Sequence, residues 1–301
     1  MKSEATAHMG HLGDTAVGVG GNFATLWSPA LALILIVMGW LYGLTVHRWR
    51  HQFTDSSPVG AREQFYFYSG LLLFYVAEGS PLSYYAHHYS FSAHMLQQSI
   101  SYLIVPPLLL LGTPGWLLRS LFQHAAMQRL INVAASPLVA LFVFNFIFSF
   151  YHIPMVMDTL MTHPLLHFMY NIIFLLAAFQ MWFPVFCPLP EYNKISDLRK
   201  MGYIFINGIL LTPACALIIF AGKPLYDSYA NVPESYLLLT LVNDQQLGGV
   251  IMKIVQEIVY GIALGYVFFR WYRRERQRDE EEELAHSIHG YSASQVDIHR
   301  I

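Results

Sequence analysis

A chain of 301 residues with 55% hydrophobic and only 12% charged side chains, at a mean hydropathy of +0.41, cannot clothe a water-facing surface. Soluble domains carry about 25% charged residues, so a soluble enzyme and a disordered chain are both excluded. Two cysteines, Cys187 and Cys215, make no disulfide framework, and a formal charge of −2 gives no electrostatic footprint for nucleic acid.

The chain therefore reads as an all-α polytopic membrane protein in contact with lipid. Residues 1–24 are Gly-rich and lack the basic and apolar regions of a signal peptide, so they read as a short extracytoplasmic tail. A spanning helix needs about 20 apolar residues. Such stretches are predicted at Leu26–Val46, Gln64–Tyr85, Ala93–Leu111, Ala134–Phe150, Pro164–Phe186, Arg199–Ala221 and Gln246–Trp271, giving seven transmembrane helices. The alternating polarity of a membrane β-barrel is absent.

Between the third and fourth spans, residues 114–125 are too short to cross. With Trp116, Leu117, Leu121 and Phe122 they predict an interfacial helix. Pro106-Pro107, Pro184 and Pro213 predict kinks. In the last span Lys253 and Glu257 stand four residues apart and are expected to neutralise each other, with a proton or ion pathway as the alternative. The membrane domain is thus 25–271, and 272–301 is a charged, solvated helical tail.

Lys and Arg set the orientation. Fourteen of them follow spans 1, 3, 5 and 7, and only Lys2 and Lys223 fall on the alternate side. The N-terminus is expected outside and the C-terminus in the cytoplasm.

With that orientation the fourteen histidines sort by side. His47, His51, His124, His286, His289 and His299 fall at the cytoplasmic face, while His8, His11, His87, His88, His94, His152, His163 and His167 fall outside. Six of the latter lie at or next to the outer ends of helices 2 to 5. His163 and His167 are i and i+4 and are expected to share a face of helix 5. His94 opens helix 3, with Gln97 and Gln98 on the next turn; His152 ends helix 4; His87 and His88 fall in the short loop before helix 3. Met95, Met155, Met157, Met161 and Met169 share the layer with Glu78, Asp158 and Asp244. Imidazole with thioether and no thiolate is a donor set suited to copper, particularly Cu(I). Zinc more often comes with cysteines or an HExxH helix, and calcium demands a carboxylate cage. The four methionines from Met155 to Met169 read individually as packing residues. No P-loop, GxSxG elbow or CxxCH haem motif is present.

The run Phe91-Ser-Ala-His94-Met95-Leu-Gln97-Gln98, followed by Pro106-Pro107-Leu-Leu-Leu-Leu-Gly112-Thr-Pro114, resembles the third helix of the CtaG family. Members of that family are assembly factors for caa-type cytochrome c oxidase in bacteria. Tyr151-His152-Ile153-Pro154 through Asp158, His163-Pro164-Leu-Leu-His167 and Trp182-Phe-Pro184 match its second block in order and spacing. Asp244-Gln245-Gln246-Leu247-Gly248-Gly249 resembles the start of its last helix, and the likeness covers roughly residues 25–271. It implies a seven-helix protein of the bacterial plasma membrane, multi-pass and non-enzymatic, that supports the oxidase's copper centres. Many relatives carry a histidine where this chain has Gln98. The copper role is carried over only to His94, His152, His163 and His167, with Met95 next.

The expected partners are the caa-type cytochrome c oxidase subunits and a copper donor protein, with copper as the bound metal. Two other readings compete. A haem-binding membrane redox protein would clamp haem between His94 and His152 or His167, and would be an oxidoreductase. A copper transporter would need ligands through the membrane, where the sequence offers Asn145, Asn171, Cys215 and the Lys253–Glu257 pair.

Overall fold

A computed structural model describes residues 23–121, 125–233 and 238–298. The tail at 1–22 with His8 and His11, together with Phe122, His124 and His299, lies outside the described residues. Every regular element among the described residues is helical. In chain order these are α1 (Pro29–Gln52), α2 (Ala61–Glu78), α3 (Pro81–His88), α4 (Phe91–Gly112), α5 (Gly115–Leu121), α6 (Ala125–Ala134), α7 (Pro137–Tyr151), α8 (Pro154–Thr162), α9 (Pro164–Phe186), α10 (Asp197–Ile219) and α11 (Leu241–Ile298).

Five of them, α1, α4, α9, α10 and α11, are long and apolar enough to cross a membrane. The pair α7 and α8, bent by 78° at a short break, makes a sixth if it counts as one span. The predicted second span, Gln64–Tyr85, is shorter than expected and ends at Glu78. Gly79 and Ser80 break it, and Ser80 caps a new helix whose first residue is Pro81. A Ser-Pro pair is a helix start signal, so α3 turns off as a separate element. Within the segment 114–125, expected as an interfacial helix, α5 forms over Gly115–Leu121, with Trp116 buried against Phe53 and the side chains of Tyr42 and Val46.

The two prolines in α4 shape it. Pro106 and Pro107 cannot donate to the carbonyls of Tyr102 and Leu103. The helix loosens into a π turn at Ile100–Ile104, and the Tyr102 carbonyl accepts from the indole N–H of Trp182 at 3.3 Å. At the far end of α4 the backbone of α2 comes so close that a Cβ on Gly112 would strike Phe67. Tyr42 of α1 donates to the Gly112 carbonyl at 2.7 Å, tying three helices together.

α11 packs along α10 and across the start of α4, while α9 packs on α7. Their shared core includes Phe144, Phe148, Tyr151, Phe174, Met181 and Trp182. In lipid such packing stabilises through close contact rather than escape from water.

The two ends of the bundle differ. At one end lie the basic residues. Buried Asp197 accepts from Arg270 and from Arg274 at 2.9 Å, fastening α11 to α10 as it leaves the apolar region. Arg119 pairs with Glu191 at 2.8 Å and holds that carboxyl below its usual range. The opposite end carries His87, His88, His94, His152, His163 and His167.

Candidate functional site

Short connecting pieces roof the histidine end: α3, α8 and the turn Asp227–Tyr229. Tyr229 donates to the Ala86 carbonyl at 2.7 Å and Tyr226 to the His152 carbonyl at 3.0 Å. Burial pushes both phenols up, which keeps them neutral donors. Asp158 of α8 accepts from the backbone N–H and hydroxyl of Ser228 at 2.9 and 2.6 Å, fixing the turn.

Asp244 does similar work at the start of α4. Its carboxylate accepts from the N–H groups of Phe91 (2.7 Å) and Ser92 (3.3 Å) and from the hydroxyls of Ser90 and Ser92. An acidic group there also suits the positive end of a helix. The neighbouring Gln245 accepts from Leu225 N–H at 2.7 Å, and Gln246 donates to the Ala221 carbonyl at 2.9 Å. A Cβ on Gly248 would meet Phe91 and Met95, so glycine there lets α11 close on α4. These contacts fix where α4 presents its next turn.

That turn carries His94, which is 2% exposed. Its Nε2 lies 2.9 Å from the Tyr151 hydroxyl, while Nδ1 has no partner. His152, 1% exposed, caps α7. Its Nδ1–H donates to the Phe148 carbonyl at 2.7 Å, which leaves the Nε2 lone pair unpartnered. Tyr151 sits between the two rings, 5.8 Å from His94 and 5.3 Å from His152 between centroids. His167 of α9 accepts a long contact from the Asn171 amide at 3.4 Å.

His87 completes the group. Because α3 is a helix, its Nδ1–H donates to the Ser83 carbonyl at 2.7 Å and its ring points at both neighbours. The His87 ring lies 6.0 Å from that of His94 and 5.1 Å from that of His167. His87, His152 and His167 all lie within electrostatic range of His94. Below them Glu78 accepts from Gln97 at 2.9 Å and from Ser101 at 2.5 Å.

The layer is under-satisfied. Among the described residues nine buried side-chain polar atoms lack a partner, and five of them belong to His94, Gln97, Gln98 and His152. Native proteins pair nearly all such atoms, so this cluster of orphans singles out the layer as the candidate site. As folded, no three His, Cys, Asp or Glu side chains among the described residues converge to enclose an ion.

The sequence expectations divide accordingly. His94 and His167 are bridged by the ring of His87, which was expected in a loop, while His152 lies in the same layer on the other side of Tyr151 from His94. His163 stands apart from them. It precedes Pro164, which drives it to an extended conformation (φ −122°, ψ 93°), so it caps α9 instead of lying on it. The expected shared face with His167 is corrected by that proline; His163 is exposed, and its Nδ1–H donates to the Thr159 carbonyl at 2.8 Å. Met95 is fully buried beside Gly248 in the contact between α4 and α11.

Fold and site together define an all-helical membrane protein with an imidazole-rich layer under one roofed end. The family of cytochrome c oxidase caa3 assembly factors matches residues 40–274, and the chain belongs to it. No curated protein and no solved structure matches the chain.

Proposed function

We propose that the chain spans the bacterial plasma membrane seven times with its N-terminus outside, and that it serves caa3 oxidase assembly by holding a copper ion at the roofed end for transfer. Family membership supports the assembly role and makes the oxidase its partner. Seven spans are supported by α2, whose 18 residues extend about 27 Å, close to a bilayer core of about 30 Å. The lysine and arginine asymmetry supports the orientation.

The observation that carries the copper reading is the pair of buried, unpartnered imidazole nitrogens, His94 Nδ1 and His152 Nε2. His152 and His87 each give their other N–H to a backbone carbonyl, the arrangement that orients metal-binding histidines. Metal–nitrogen bonds of about 2 Å put two imidazoles on one ion with ring centroids roughly 5–6 Å apart. His87 stands at that spacing from both His94 and His167. Copper is cargo here, so an incomplete set of soft-to-borderline donors suits release as well as capture. His94, His152 and His167 with His87 hold the ion, exposed His163 stands at the rim, and Met95 serves packing.

The test is a cuprous titration of the full chain in sealed, right-side-out vesicles. About one ion per chain is expected, open to a membrane-impermeant chelator added outside. His87→Leu with His167→Leu is expected to weaken binding at least tenfold with the thermal unfolding midpoint retained. Undiminished binding in that variant, or copper that the chelator cannot reach, contradicts the reading.

A further inference from the structure

The last helix carries a second feature that the histidine end does not use. Lys253 and Glu257 form the expected ion pair, with Nζ and Oε1 2.6 Å apart, and the ammonium also donates to the Thr212 hydroxyl at 2.9 Å. The carboxylate of the pair is on the outside of the bundle, with 62% of the Glu257 side chain exposed, while Lys253 is half-buried at 27%. Its depth is fixed by its neighbour Gln256, which donates to the carbonyl of Gly208, the midpoint of α10. A charged pair with its carboxylate turned outward therefore lies at the level where lipid is most apolar, where ionisable groups are costly and face protein or water.

Gly261 and Gly265 continue the same row, so Lys253, Glu257, Gly261 and Gly265 follow one another at four-residue spacing. Nothing lies within 4 Å of a Cβ built on either glycine. Small residues four apart on a membrane helix let a second backbone approach closely, and polar side chains beside them bond across the contact.

We propose that this face of α11 is where two copies of the chain meet. Self-complementary charge selects the occupant. An ammonium has three donors, and Lys253 uses two of them within its own chain. Rotation about the membrane normal brings the spare donor of each Lys253 to the Glu257 carboxylate of the other copy. The glycines one and two turns along allow that approach, and the exposed carboxylate leaves lipid. The contact is independent of copper.

The test is the oligomeric state of the full chain in lipid vesicles, counted by single-molecule photobleaching across a range of chain-to-lipid ratios. A dimer is expected. Gly261→Leu with Gly265→Leu should lower its association constant at least about tenfold, as should Lys253→Met with Glu257→Gln. The glycine sites are open, so the monomer keeps its unfolding midpoint. Gly261→Cys should cross-link two copies on oxidation, whereas Phe142→Cys, lipid-facing on α7 and 63% exposed, should not. A chain that is monomeric at every ratio, or a dimer that survives both double substitutions, overturns the proposal. Preferential cross-linking of Gly261→Cys to an oxidase subunit overturns it equally.

Discussion

At position 152 a helix ends on a histidine that turns inward, with one nitrogen satisfied by Phe148 and the other by nothing. An unpaired buried polar atom costs about 1–3 kcal/mol, so the layer around His94, Gln98 and His152 is unfavourable for folding alone. That asymmetry yields a prediction. Replacing Gln98, buried beside Tyr151 with neither amide atom in a well-formed hydrogen bond, with leucine should raise the unfolding midpoint by a few degrees, since removing a poorly satisfied buried polar group stabilises. A fall in the midpoint would show that Gln98 is paired in the folded protein. At this scale the sequence was informative through sidedness. His94, His152 and His167 could be gathered because each marks the same end of a helix. His87 escaped because its direction depends on α3 restarting after Gly79, and the Ser80-Pro81 signal for that restart lay inside an otherwise apolar run. His163 misled because four-residue spacing places two side chains together only when both are helical, and Pro164 forbids it.

Elements show a second kind of legibility. The spans α1, α4, α9, α10 and α11 follow from apolar length alone, and the loosened middle of α4 follows from its two prolines. What apolar length cannot show is a side chain reaching across the fold. Asp244 satisfies α4 from more than 150 residues away, and its sequence neighbourhood reads as the start of the last helix without pointing to α4. Loss of a helix cap costs about 0.5–2 kcal/mol, and bonds to a charged group raise that. Asp244→Ala should therefore destabilise by about 2 kcal/mol, read as a lower unfolding midpoint. It should also weaken copper binding, because α4 sets the position of His94. A variant with unchanged stability would mean that Gly248 and the packing of α11 hold α4 without the cap.

The whole molecule joins two ends of different chemistry. Arginines and carboxylates fasten the α10–α11 end, and a roof of short helices covers imidazoles at the other. Low overall charge pointed to the membrane, and the sided histidines pointed to one end of it. The roof itself was illegible, because α3, α8 and the Asp227–Tyr229 turn are short, partly polar and held by distant tyrosines. The central claim is that this end supplies copper to the oxidase. It is tested most directly by the copper content of caa3 oxidase purified from cells carrying His94→Leu with His152→Leu. Oxidase subunits are expected in the membrane with copper reduced to the level found in cells lacking the chain altogether. Fully metallated oxidase from cells carrying the double variant at normal abundance would contradict it.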